Sequence, residues 1–234
     1  MRAESARERR YTDSRADAVA RALQRLRAPQ PRGRLTLATV GVLALQGDVR
    51  EHLAAFRRCG ADARPVRLAA ELDAVDALAV PGGESTTMSK LVRAFSLEEP
   101  LRERLQSGMP TLTTCAGLIL FSRAIDGGRD DQLALGALDI AVRRNGWGSQ
   151  VDSFEQDLHV DGLGDIPFRG VFIRAPRIED TGAGVAVLAE VDGEPVAIAQ
   201  GPHVGLTFHP EMTGDDRIHR LFLERAGRRA EDAA

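Results

Sequence analysis

From residue 39 onward, short apolar runs alternate with stretches in which apolar residues recur at helical spacing. Val40–Leu45 is a continuous apolar run and predicts a strand, followed by Gln46-Gly47-Asp48 as a turn and a helix from Val49 to Cys59 that Gly60 stops. Ala63–Leu68 and Asp76–Val80 predict two more strands, the latter entering Pro81-Gly82-Gly83-Glu84-Ser85. Helices follow over 86–94 and 97–106. Pro110–Thr114 then predicts a strand running into Cys115-Ala116-Gly117 and a helix to Ala124. Residues 126–136 are rich in Gly and Asp and predict an exposed loop. The last third predicts strands at Leu138–Arg143, Gly170–Ile173 and Val185–Glu190, with a hairpin turned at Asp192-Gly193. A strand Val204–Phe208 leads into His209-Pro210-Glu211, and a helix over Asp216–Ala226 closes the chain. This alternation predicts an α/β fold, a three-layer sandwich with a mainly parallel central sheet. Upstream, residues 16–27 carry Val19, Leu23 and Leu26 at helical spacing and end before Pro29.

Charge divides the chain unevenly. Residues 1–38 hold ten Arg against four acids, so a total of −3 leaves the remainder at −9. An acidic body excludes a nucleic-acid surface there, and the basic extension has one aromatic residue, Tyr11, and little else to pack. The apolar run at Leu35–Leu45 starts too late for a secretory signal and is too short to cross a bilayer, which takes about 20 residues. Two cysteines, Cys59 and Cys115, exclude a disulfide scaffold and favour a reducing, cytoplasmic compartment. The five His residues are scattered and no C-x-x-C or H-E-x-x-H occurs, so no metal site is expected.

Two short segments carry candidate chemistry. Cys115 stands where an apolar strand meets a helix, the arrangement of a nucleophile elbow. The partial positive charge at a helix start favours the thiolate, and the N–H of Ala116 faces any oxyanion formed by its attack. On these residues alone Cys115 is equally a small buried hydrophobe. In His209-Pro210-Glu211, an extended backbone would put His209 and Glu211 on one side, so that Glu211 accepts the Nδ1–H and leaves the other nitrogen for proton transfer. By itself this is a His satisfied by a Glu; with a Cys elbow it makes a triad. Gly83, after the third strand, is a candidate second oxyanion donor, and Ser85 a candidate helix cap.

Gly82-Gly83-Glu84-Ser85-Thr86-Thr87-Met88, Thr114-Cys115-Ala116-Gly117-Leu118-Ile119 and Phe208-His209-Pro210-Glu211 together resemble class I glutamine amidotransferases with a Cys-His-Glu triad. Three further segments resemble the glutaminase subunits of pyridoxal 5'-phosphate synthase: Val42 to His52, Arg144-Asn145 with Gln150 to Glu155, and Gly170 to Pro176. The similarity covers about 39–226. It implies a basic extension at 1–38, a glutaminase domain at 39–227 and a tail at 228–234. It also implies Cys115 as nucleophile with His209 and Glu211, and a glutamine site lined by Gly83, Glu84, Ser85, Arg144, Ile173 and Arg174. Gly83 and Ala116 would form the oxyanion hole. Gln46 resembles a residue placed near that hole and the partner interface. The substrate is then L-glutamine and the partner a synthase subunit in a hetero-oligomer, which joins the ammonia to a pentose and a triose phosphate. Pyridoxal phosphate is a product of that complex, and no cofactor is implied for this chain. The alternatives are a glutaminase serving another synthase and a catalytically weak binding partner of the same fold.

Two departures stand out. The elbow of such enzymes carries Gly two residues before the nucleophile, where this chain has the β-branched Thr113. Trp147, the only Trp, stands where the family more often has Phe.

Overall fold

In the computed structural model, which describes residues 39–146 and 153–232, side chains alternate strictly along the central strands. In β1 (Thr39–Leu43), Val40 and Val42 enter one apolar core and Leu43 the other; in β3 (Ala77–Val80), Ala77 and Ala79 part from Leu78 and Val80 in the same way. A strand with both faces apolar must be covered on both sides, which is the physical origin of the three layers. The first core is closed by α1 (Val49–Arg58) through Phe56 and by α6 (Arg217–Asp232) through Ile218 and Phe222. The second is closed by α3 (Ser85–Ala94), α4 (Glu98–Gln106) and α5 (Ala116–Phe121), through Met88, Val92, Leu101 and Leu118. Burying one side chain such as Phe56, wholly enclosed here, contributes about 1.5–3 kcal/mol.

The central sheet has seven strands. With β2 (Asp62–Val66), β4 (Thr111–Thr114), β10 (Ala186–Val191), β11 (Glu194–Gln200) and β12 (His203–Leu206), the order is β10-β11-β12-β4-β3-β1-β2. The five strands from β12 to β2 are parallel, and β10 and β11 add an antiparallel hairpin at the edge. Asp192 and Gly193 both have positive φ, 51° and 80°, as a two-residue hairpin turn requires. The short helix Ala69–Asp73 (α2) links β2 to β3 and was not expected.

The predicted and observed elements differ in the last third. The helix after Cys115 ends at Phe121, three residues short of expectation. Ser122 turns the backbone extended, and β5 (Ser122–Asp126) pairs parallel with β6 (Leu138–Arg143). β9 (Arg177–Thr181) completes this three-stranded sheet, while β7 (Phe154–Leu158) and β8 (Phe168–Phe172) form a separate ribbon. β7 and β9 escape the apolar-run criterion because side sheets bury one face only, and β9 contains a single apolar residue, Ile178. The 126–136 segment is exposed over 126–131, but Leu133 and Leu135 are buried, which corrects the expectation of a wholly exposed loop. The closing helix continues past 226 to Asp232. The helix expected over 16–27, Trp147 and residues 150–152 lie outside the described residues. Among the described residues, no helix is long and apolar enough to cross a membrane.

Candidate active site at the carboxyl edge of the sheet

Because β1, β3, β4 and β12 are parallel, their following loops all emerge at one edge of the sheet. The loops bring Gln46-Gly47-Asp48, Gly82-Gly83-Glu84, Cys115 and His209 to the same place.

Cys115 caps α5 with φ 47° and ψ −104°, a left-handed conformation that a non-glycine residue adopts at a cost. The turn is held by Cys115 N donating to Leu206 O of β12 at 2.9 Å and by the close approach of helix and strand. A Cβ on Gly117 would lie 2.2 Å from Val80 O, so glycine is required two residues after the cysteine. Thr113 fits two residues before it. It is fully buried, its Oγ1 lies 3.4 Å from Val204 O, and its register partner is Gly205, where a Cβ would strike Leu118 of α5 at 2.6 Å. The glycine that admits the helix at this level sits on the neighbouring strand.

His209 and Glu211 meet, but not by the predicted route. Pro210–Met212 is a turn of 3₁₀ helix and not an extended segment, and within it Glu211 Oε1 reaches His209 Nδ1 at 2.8 Å. Asp48 Oδ2, which sequence reasoning missed, lies 3.3 Å from the same nitrogen. Burial alone would lower the His209 pKa, but hydrogen bonds with Asp48, Cys115 and Glu211, together with the charge of Cys115, push it up to about 12. Glu211 moves up, chiefly through burial and with Asp48 adding to it, against the pull of His209. Cys115 Sγ lies 3.9 Å from Ile173 O, in the turn after β8, and Arg174 beside it is exposed with φ 45°. Among the described residues, Asp48, His209 and Glu211 are the one group of three whose donor atoms lie close enough to hold a metal ion.

Glycines let the loops close on one another. A Cβ on Gly47 would lie 1.7 Å from Gly82 O, and one on Gly82 would lie 2.2 Å from His209 Cε1. Gly83, at φ 151°, packs against Gln46, whose Oε1 accepts from Glu84 N at 2.8 Å. Glu84, and not Ser85, caps α3, accepting from Thr86 N at 3.0 Å, Thr87 N at 2.6 Å and Thr87 Oγ1 at 2.7 Å. These bonds outweigh burial and lower its pKa to about 2, so it stays ionised. Arg144 Nη2 donates to Glu84 Oε1 at 3.1 Å and its Nη1 to Gln132 Oε1 at 3.0 Å; Gln132 Nε2 donates to Ser85 Oγ at 2.8 Å. Gln132 therefore ties two expected glutamine-site residues, Ser85 and Arg144, together. It was missed because it lies in the Gly- and Asp-rich segment, where nothing local marks it.

The arrangement suits nucleophilic attack on a carbonyl. It has a thiol at a helix start, a protonated imidazole held by carboxylates, and the N–H of Ala116, which as a first-turn amide has no partner within its helix.

The SNO glutamine amidotransferase family matches residues 42–228. Pyridoxal 5'-phosphate synthase subunit PdxT from Parafrankia sp. (strain EAN1pec) is 55% identical over 185 residues, 79% of this chain and 91% of that protein. The protein of the same name from Mycolicibacterium vanbaalenii is 57% identical over 187 residues, 79% of this chain and 95% of its own. A crystal structure of a glutamine amidotransferase superposes with a TM-score of 0.76 at 49% identity, covering 80% of this chain and 98% of that one. With a match across nearly the whole described unit, an elbow cysteine and a facing His-Glu pair, this chain belongs to the SNO glutamine amidotransferase family.

Proposed function

We propose that this chain is the glutaminase subunit of a pyridoxal 5'-phosphate synthase, hydrolysing L-glutamine to L-glutamate and ammonia in the cytoplasm and passing the ammonia to a synthase subunit in a hetero-oligomer. The observation that carries the chemistry is the meeting of Cys115, on its left-handed elbow, with a His209 that keeps its proton between Cys115 and Glu211. A histidine so held is the partner a thiolate nucleophile needs.

Cys115 Sγ attacks the side-chain amide carbon of glutamine, and the carbonyl oxygen takes the negative charge. The N–H groups of Gly83 and Ala116 hold that oxyanion. As the tetrahedral intermediate collapses, the C–N bond breaks, His209 Nε2 gives its proton to the departing nitrogen, and ammonia leaves a γ-glutamyl thioester. Water then yields a proton to His209 and attacks the thioester carbon, releasing glutamate and the Cys115 sulfur. Glu211 and Asp48 keep the imidazole aligned and stabilise its positive charge. Ionised Glu84 and the guanidinium of Arg144 supply opposite charges for the two ends of the amino-acid backbone, with Ser85 and the Ile173-Arg174 turn completing the wall. Gln46 holds the Gly83 loop by accepting from Glu84 N.

Identities of 55% and 57% with proteins named PdxT support this synthase over those making other products. Thr113 is buried and accommodated, which supports a working elbow over a catalytically weak partner of the same fold. The test is ammonia release from glutamine by wild type and Cys115→Ala, each with the synthase subunit. Wild type should exceed the variant by several orders of magnitude, and equal rates would overturn the assignment.

A further inference from the structure

Behind Glu211 lies a buried row of two histidines that the triad chemistry does not use. His52 is on the core-facing stripe of α1 with Ala55 and Phe56, a position that an ordinary amphipathic helix fills with an aliphatic residue. It is fully buried, as is His219 of α6. His52 Nε2 lies 3.3 Å from Glu211 Oε2 and 3.4 Å from Thr114 Oγ1, the residue before the nucleophile. His52 Nδ1 lies 3.0 Å from His219 Nε2. Glu211 is buried with one oxygen committed to His209, and its Oε2 has no hydrogen-bond partner among the described residues; the ring nitrogen it faces, 3.3 Å away, is His52 Nε2.

With Glu211 ionised, the protons of this row take the following arrangement. Burial lowers the pKa of His52 well below 6.5, with His219 and His209 adding to it, and burial takes His219 down to about 4 despite Asp216. Both rings are therefore neutral and carry one proton each. An ionised carboxylate can only accept, so the His52 proton is on Nε2 and its bare Nδ1 accepts the Nε2–H of His219. His219 Nδ1 is then a bare acceptor at the closed end, and it has no hydrogen-bond partner among the described residues.

We infer that His52 is a positioning residue for the amidotransferase reaction: its Nε2–H, oriented by His219, supplies the donor to Glu211 Oε2 that fixes the carboxylate against His209. Resting on the glutaminase reading, this extends the Cys-His-Glu row by two imidazoles. His52 touches neither glutamine nor the reacting sulfur, so it acts on kcat through Glu211 and leaves KM alone.

The experiment uses the chain assembled with its synthase subunit and compares wild type, Cys115→Ala, His52→Asn and His52→Gln. The amide of Gln reaches the position of the imidazole Nε2, whereas that of Asn reaches only the Nδ1 position. His52→Asn should lower kcat by about ten- to a hundredfold, the fold equivalent of one hydrogen bond to a charged group, with KM unchanged. Losing that donor favours the protonated carboxyl, so the acid limb of the kcat/KM profile should move to higher pH. The groups facing Glu211 are His209, Asp48 and His52; those facing His52 are Glu211, His209 and His219; and Asp216 and Arg58 act on His219. His52→Gln should restore both kcat and the acid limb. A His52→Asn complex with wild-type kcat and profile, or a His52→Gln complex as impaired as the Asn one, overturns the inference. If wild type releases no more ammonia than Cys115→Ala, the glutaminase reading itself fails. If wild type outruns Cys115→Ala while His52→Asn matches wild type, that reading stands and the role of His52 falls. Nitrogen-15 resonances of the wild-type imidazoles need no variant to fold. At neutral pH they should show His52 protonated at Nε2 and bare at Nδ1, and the opposite tautomer refutes the row.

Discussion

Replacing Gly82 with alanine perturbs the site by a single methyl group. The added Cβ would lie 2.2 Å from His209 Cε1 and 2.9 Å from its Nδ1. Ordinary contact begins near 3.4 Å, so the ring must retreat by about 1.2 Å. Gly82 is not among the residues with positive φ, so the backbone accepts alanine and the collision with the ring is the whole effect. The Nδ1 contact with Glu211 is 2.8 Å, and a shift of that size either breaks it or carries Nε2 away from Cys115. Misplacing a reacting group by 1 Å costs about 10²-fold in rate, equivalent to about 2.7 kcal/mol in the barrier. The expected result is kcat reduced by about 10²-fold in the assembled complex, with Tm close to wild type because the obstacle is a side chain that can move. Ammonia release at saturating glutamine and a thermal melt of the same preparation measure the two quantities. Wild-type kcat in Gly82→Ala would refute the geometry, as would a collapse in Tm with kcat per folded molecule unchanged.

Gly117→Ala should behave in the opposite way. Its Cβ meets the backbone oxygen of Val80 at 2.2 Å, inside the sheet, so the strain should cost about 1–3 kcal/mol of stability and appear as a lower denaturation midpoint. Gln132→Leu removes the amide joining Ser85 to Arg144, and KM for glutamine should rise about tenfold with kcat little changed, the loss of about one hydrogen bond. Stability, read from urea denaturation across a pH series, should fall from pH 6.5 toward 4. The unfolded chain takes up protons there that buried His52 and His219 refuse, at about 1.4 kcal/mol per pH unit for each. His219→Gln should make that slope shallower by one such contribution. His209 works in the opposite sense: its folded pKa is raised, so its stabilisation is complete below 6.5 and is lost as pH rises toward 12. The stability maximum should therefore fall near pH 6.5, and a profile rising steadily through alkaline pH would contradict a His209 held protonated in the folded chain.

Strands buried on both faces were legible because each must be an unbroken apolar run, as in Val40–Leu43 and Ala77–Val80. β7 and β9 were not, because a ribbon packed on one side needs only one or two apolar residues, and polar ones fill the rest. The elbow at Cys115 was legible from strand and helix meeting at a small-residue turn. The glycine that admits the helix was not, because Gly205 lies 92 positions after Thr113 and becomes its neighbour only through strand pairing.

The types of residue needed for the chemistry, and their place after strand ends, are properties of the local sequence: a thiol before a helix, and an imidazole and a carboxylate two positions apart. Parallel pairing of β1, β3, β4 and β12 then delivers those ends to one edge, a consequence of sheet topology that no single segment encodes. Tertiary structure alone decided which further groups surround them. Asp48 reaches His209, Gln132 reaches Ser85 and Arg144, and His52 and His219 stand behind Glu211. These contacts join residues from 12 to 167 positions apart. Local periodicity reports only which face of an element is apolar; which polar group a core-facing side chain meets there is set by how the layers pack.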